Sequence, residues 1–166
     1  MRSKIGISIM KINDLIKKLR VDFPEFNFEK SEHNFYLPTE KTIFYTGDAA
    51  RLLHELGHGI LDHKDFVQDI ELIHIERDAW DKAREIAPKY GVEIDDSAVE
   101  NALDDYRDWL HARSLCPKCR QTGVQSRENL NYYCVSCNTK WSANDARSCG
   151  LKRRLIKTKN HPVFQG

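Results

Sequence analysis

Apolar residues recur along this chain with two periods, and each change of period marks a change of element. Ile12, Leu15, Ile16 and Leu19 keep the i, i+3, i+4, i+7 spacing of an amphipathic helix, which should stop before Pro24. Phe35-Tyr-Leu-Pro38 and Lys41-Thr-Ile-Phe-Tyr45 are aromatic and β-branched runs around a Pro-Thr-Glu turn, the pattern of a hairpin. Gly47-Asp48 offers an N-cap for a helix from Ala49 to about Leu61. A third helix is predicted from about Asp69 to Ala87, closed by Pro88 and Gly91. The fourth opens on Ser97-Ala-Val-Glu100, a capping-box pattern, with Val99, Ala102, Leu103, Tyr106 and Leu110 on one face. The expected class is α+β with more helix than strand.

Composition adds a boundary. A chain of 166 residues suffices for one ordinary domain and a small satellite. No run approaches the roughly 18 apolar residues of a membrane helix, and the first residues lack a signal-peptide cleavage site. Five cysteines in such a chain predict reduced thiols in a cytoplasmic setting, so metal binding comes before disulfides. The formal net charge of +1 hides an asymmetry. Residues 1–112 hold 15 Lys/Arg against 23 Asp/Glu, a net −8, whereas residues 113–166 hold 11 against 2, a net +9. Four of the five cysteines lie between Cys116 and Cys137, on the basic side. Three segments are therefore expected: a domain over 1–112, a cysteine-rich module over 113–142, and a basic tail over 143–166.

His54-Glu55-Leu56-Gly57-His58 falls in the middle of the second predicted helix. Histidines at i and i+4 project from one face, one turn apart, and can reach one ion at about 2 Å. Glu55, about 100° round the helix, can hold a metal-bound water and act as its general base. A catalytic zinc needs a third ligand and an open fourth position. Glu76 is the candidate, because Leu72, Ala79, Trp80, Ala83 and Ala87 place it on the apolar side of the third helix. A glutamate on a buried stripe is costly unless a proton, a cation or a metal faces it. His63 competes for the role, and His74 lies about 200° away from Glu76 on the same helix. Glu71, Asp78, Asp81 and Glu85 read as solvated surface.

His54-Glu-Leu-Gly-His58 followed by Glu76-Arg-Asp-Ala79 resembles the gluzincin metallopeptidases, specifically the ImmA/IrrE-like and minigluzincin type, over about residues 35–90. The resemblance implies a zincin-like domain, zinc on His54, His58 and Glu76, and Glu55 as base. It also implies that the strand before the active-site helix, here Ile43, Phe44 and Tyr45, holds an extended substrate by backbone pairing. Larger gluzincins often place an acid four residues after the glutamate ligand to orient a histidine; here that residue is Trp80, which leaves Asp78 or Asp81 to orient it. Tyr45, Tyr90 and His74 are candidates for oxyanion donor.

Cys116-Pro-Lys-Cys119 and Cys134-Val-Ser-Cys137 form a Cys-x2-Cys pair of knuckles, similar to a zinc ribbon with a closed, structural four-thiolate site. A ribbon after a His-Glu-x-x-His domain is also similar to the SprT-type proteases, which use a third histidine. Arg147, Lys152, Arg153, Arg154, Lys157 and Lys159 follow the knuckles, with Tyr132, Tyr133 and Trp141 nearby, a composition that suits nucleic acid or docking on the acidic domain. Cys149 is the unpaired fifth cysteine, and it or His161 could fill the open zinc position and make the enzyme latent.

The expected activity is a zinc metalloendopeptidase with one catalytic and one structural Zn2+. The alternative is a nucleic-acid- or protein-binding adaptor in which the ribbon acts and the peptidase fold is idle. Expected partners are a peptide or protein substrate, nucleic acid on the basic ribbon and tail, and a second copy in a homodimer, with no membrane.

Overall fold

The structure, a computed structural model, describes residues 12–146 and 150–157, and the chain divides into two compact units. The first unit comprises the residues up to Asp65 together with Ile73–Leu103; the second comprises Phe66–Leu72 and the chain from Asp104 on. Among the described residues no helix is long and apolar enough to cross a membrane.

The first unit is built from α1 (Ile12–Asp22), β1 (Asn27–Lys30), β2 (Phe35–Leu37), β3 (Thr42–Tyr45), α2 (Ala49–Ile60) and most of α3 (Asp69–Tyr90), with the opening turns of α4 (Asp96–Ser114). Leu15, Ile16 and Leu19 of α1 are buried, as their spacing predicts. The expected hairpin is present: β2 and β3 pair antiparallel, joined by a 3-10 turn at Pro38–Glu40 and a left-handed Lys41. What the pattern missed is β1, which pairs parallel to β3 and makes the sheet mixed, in the order β1-β3-β2. Only Phe28 of its four residues is buried, so β1 carries too short an alternation to be read. Asp48 caps α2, its side chain accepting the Arg51 N–H at 3.1 Å.

Two helix limits differ from expectation. Pro88 does not close α3, which runs through it to Tyr90 and stops at Gly91, whose φ is +63°. Proline keeps a helical φ but removes one hydrogen bond and crowds the carbonyl four residues back, and the helix ends two residues later. At α4 the cap is Asp95, not Ser97: its carboxylate accepts the Ser97 N–H at 3.1 Å and the Ser97 hydroxyl at 2.7 Å. Sixteen described residues form the core of this unit, among them Leu52, Leu53 and Leu56 of α2, Trp80 and Ala83 of α3, and Ile43 of β3.

The second unit is a small antiparallel sheet, β4 (Val124–Gln125), β5 (Tyr132–Tyr133), β6 (Lys140–Ala143) and β7 (Arg153–Leu155), in sequence order. Its core is Cys116, Tyr132, Cys134 and Trp141, with the two aromatic rings stacked at 5.5 Å. Asp69, at the start of α3, belongs here and is 4% exposed. It accepts from the Arg113 guanidinium through both carboxylate oxygens and from the Tyr132 hydroxyl. Arg113 also donates to the Asn144 carbonyl, lies over the Trp109 ring, and gives its own carbonyl to Trp141 Nε1.

These contacts correct the expected segments. The division falls inside α4 and not at residue 112/113, because the last turns of α4 and residues 66–72 supply the polar network that the ribbon encloses. The ribbon also does not end at residue 142: Arg153–Leu155, expected in the tail, form its fourth strand.

Candidate metal centres

In the first unit α2 presents His54 and His58 to α3, which presents Glu76. His54 Nε2 lies 3.1 Å from His58 Nε2 and 3.2 Å from Glu76 Oε2, and His58 Nε2 lies 3.7 Å from the same oxygen. Nitrogen and oxygen ligands about 2.0–2.1 Å from a tetrahedral zinc stand about 3.3 Å apart, so this spacing leaves room for one such ion among the three atoms. All three residues are largely buried, with Glu76 7% exposed. Burial alone would raise the Glu76 carboxyl, but the adjacent His54 and His58 imidazoles outweigh it and bring it down to about 2. The same burial lowers the His54 pKa, keeping the imidazole neutral, the form that binds metal. The donor set fits a zinc ion.

The approach of the two helices is set at Gly57. A Cβ there would stand 2.5 Å from the Ala79 carbonyl oxygen, so α2 reaches the α3 backbone only because this residue has no side chain. Gly57 lies one residue before His58 and Ala79 one turn after Glu76. This contact therefore governs the separation of the ligands.

Glu55 is the neighbour that is not a ligand. Burial pushes its carboxyl up to about 7, against the pull of His58 and of the nearby Tyr36 backbone N–H. In an antiparallel pair, adjacent residues alternate between facing the partner strand and facing away. Tyr36 opposes Ile43 of β3 and its N–H lies near the Glu55 carboxyl, so Glu55 sits by the outer edge of β2.

The ligand rings are held by groups that the spacing of residues did not single out. Trp80, standing where an orienting acid was expected, stacks on His54 with ring centroids 4.2 Å apart and planes at 23°. His54 Nδ1 is buried without a hydrogen-bond partner, so stacking orients this ring in place of a carboxylate. Asp78 and Asp81 are exposed and do not serve. His63 is not a third ligand. Its N–H bonds the His58 carbonyl while the Asp62 N–H bonds that of Gly59, with Asp62 at φ +52°, the Schellman end of a helix. That cap folds His63 back over His58, bringing the two Nδ1 atoms to 3.1 Å. A metal held on Nε2 would leave the His58 proton on Nδ1, 3.1 Å from His63 Nδ1.

Three other expectations change. Ile43 and Tyr45 are core residues at 0% and 8% exposure, and β3 is the central strand, so its backbone is taken on both sides and cannot pair with a substrate. Phe44 stacks on Phe35 at 4.3 Å. Tyr90 is buried with its hydroxyl on Asp22 at 2.7 Å, and His74 is exposed, so neither serves as an oxyanion donor. Cys149 and His161 lie outside the described residues.

In the second unit the four cysteines converge. Cys116 and Cys137 Sγ are 3.6 Å apart, Cys119 and Cys134 Sγ 3.4 Å, and all four sulfurs lie within 4.8 Å of one another. Thiolates about 2.3 Å from a tetrahedral zinc are separated by about 3.8 Å, so these sulfurs are spaced for that ion. The Thr139 hydroxyl, 3.1 Å from Cys137 Sγ, and the Thr139 backbone N–H lower that thiol to about 6 and favour the ligating thiolate. Both groups are compatible with zinc.

Compared with known protein families, with curated proteins and with solved structures, the chain matches none.

Proposed function

We propose that the first unit is a zinc-dependent metalloendopeptidase of the gluzincin type and that the second carries a structural zinc. The reading rests on one observation: two imidazole nitrogens and a carboxylate oxygen converge within 3.7 Å, beside a half-buried glutamate, Glu55, that is not among them. Three protein ligands leave a fourth position open, as hydrolysis needs. When bound, the zinc supplies a Lewis acid that polarises a carbonyl and lowers the pKa of a water. His54, His58 and Glu76 hold it; Trp80 and His63 fix the two rings. Glu55 accepts the water's proton on its carboxylate and returns it to the leaving amine. The substrate strand is β2, not β3: it is an edge strand whose outer side lies near Glu55, so an extended peptide placed there lies beside the base.

Glu55→Gln tests this. With zinc retained, the variant should lose about 10²- to 10⁴-fold in cleavage of a fluorogenic peptide library, the scale of a lost general base. Cleavage within tenfold of the wild type, or no cleavage by the zinc-loaded wild type above that variant, would end the reading.

A further inference from the structure

The ribbon's sheet has two faces with different contents. Tyr132 and Trp141, paired across β5 and β6, point into the core at 2% and 0% exposure. The alternate positions form a row across β4, β5 and β6 that continues to Ile156, just past β7. Val124 opposes Tyr133, Tyr133 opposes Lys140, and Ile156 donates its N–H to the Lys140 carbonyl. The three uncharged members are 48%, 40% and 38% exposed. Two residues along β6 from Lys140, Ser142 faces Arg154, which is also exposed.

At the β7 end of the row is a hollow of about 480 Å³, lined by Pro117 and Lys118 of the first knuckle, Asn138, Thr139 and Lys140 of the second, and Leu155, Ile156 and Lys157. That volume falls within the roughly 300–1,000 Å³ of small-ligand sites. Three lysines surround an apolar wall, and no acidic residue lines it. None of the three is in an ion pair among the described residues. Like charges gathered without counter-charge lack a structural reason, and they suit an anion that arrives from outside.

We propose that this face binds single-stranded nucleic acid, with Lys118, Lys140 and Lys157 on backbone phosphates and unpaired bases against Tyr133 and the apolar row. An acidic peptide would satisfy the lysines but leave the exposed tyrosine and aliphatic row without a role. A duplex would keep its bases from Tyr133. Lysines act as point charges without the bidentate fork that reads a base edge, so the binding is independent of sequence. The inference does not depend on the peptidase reading, since every residue in it belongs to the second unit.

Fluorescence anisotropy of the zinc-loaded full chain with a labelled twelve-residue oligo-dT, over a salt series, is the test. Each phosphate contact contributes about −0.7 to the slope of log K on log salt for a single strand, so K118A/K140A/K157A should flatten the slope by about 2. Tyr133→Ala should weaken binding roughly 5- to 150-fold, the cost of one base–aromatic stack, at unchanged slope. All four side chains are exposed, and retention of the ribbon zinc verifies folding. Absence of binding at low salt, an unchanged slope in the triple variant, or binding insensitive to Tyr133 and matched by polyglutamate would overturn the proposal. The last outcome would assign the face to an acidic protein.

Discussion

The two candidate metal centres are made in opposite ways. In the first unit, His54, His58 and Glu76 stand on helices that a core of sixteen described apolar residues already holds, with His54 stacked on one of them, Trp80. In the second, the core is Cys116, Tyr132, Cys134 and Trp141, so two of its four buried residues are themselves ligands. A preformed site can leave a coordination position open because its fold does not depend on the ion. A site that is half of its own core must be closed, since the metal there supplies folding free energy. The contrast separates a candidate reaction centre from a scaffold more sharply than ligand identity does.

The strongest challenge to that contrast is to remove each metal separately. Cys134→Ser should unfold the ribbon, since structural zinc contributes on the order of 10–16 kcal/mol in zinc-finger peptides. Near-ultraviolet circular dichroism from Tyr132 and Trp141 should collapse. His58→Ala should release the other ion yet leave the urea midpoint of the first unit nearly unchanged; a large loss of stability would show that this unit too is folded by its metal.

Next in size is Asp69→Ala, which leaves Arg113 buried and unpaired at a cost of about 3–5 kcal/mol. Amide exchange should accelerate across residues 114–157 while α1 and β1 keep their protection. Equal loosening of both would contradict the assignment of Asp69 to the second unit.

Gly57→Ala bears on the first centre alone. Its Cβ would meet the Ala79 carbonyl at 2.5 Å, and overpacking of this kind costs about 1–3 kcal/mol. Because the strain falls between the ligands, zinc affinity measured by competition with a chelator should drop by more than tenfold. Unchanged affinity would mean that the helix contact does not set the ligand spacing.

The smallest effect is a pH dependence. The Tyr90 hydroxyl, then Lys89, hold Asp22 below its ordinary value of 3.8. A depressed carboxylate stabilises the fold above that value, and the contribution disappears as pH falls through the folded pKa. Asp22→Asn should therefore narrow the difference in first-unit stability between pH 7 and pH 3, read from urea unfolding, and leave the ribbon's response as it was. An undiminished pH difference in the variant would remove Asp22 from the acid response.

Much of this was legible from spacing. The i, i+4 histidines, the buried stripe around Glu76 and the paired Cys-x2-Cys knuckles are local patterns, and helix or knuckle geometry translates them directly into converging donors. β1 was not legible, because a four-residue strand with one buried side chain has no measurable period. The choice of β2 over β3 as the free edge was hidden for the same reason: which strand is central depends on the partner that was missed.

What the chain determined by itself was therefore the chemistry: two donor sets, a glutamate beside one of them, and a basic ribbon joined to an acidic domain. What only tertiary structure decided was which groups support that chemistry. Trp80 takes the place of an orienting acid by stacking, and Gly57 is a spacer because another helix's backbone passes there. Asp69 belongs to the ribbon although 46 residues separate it from Cys116 along the chain. Each depends on a contact between segments distant in sequence, and periodicity carries no information about such pairs. Spacing along one element specifies where a side chain points, but only packing specifies what it meets.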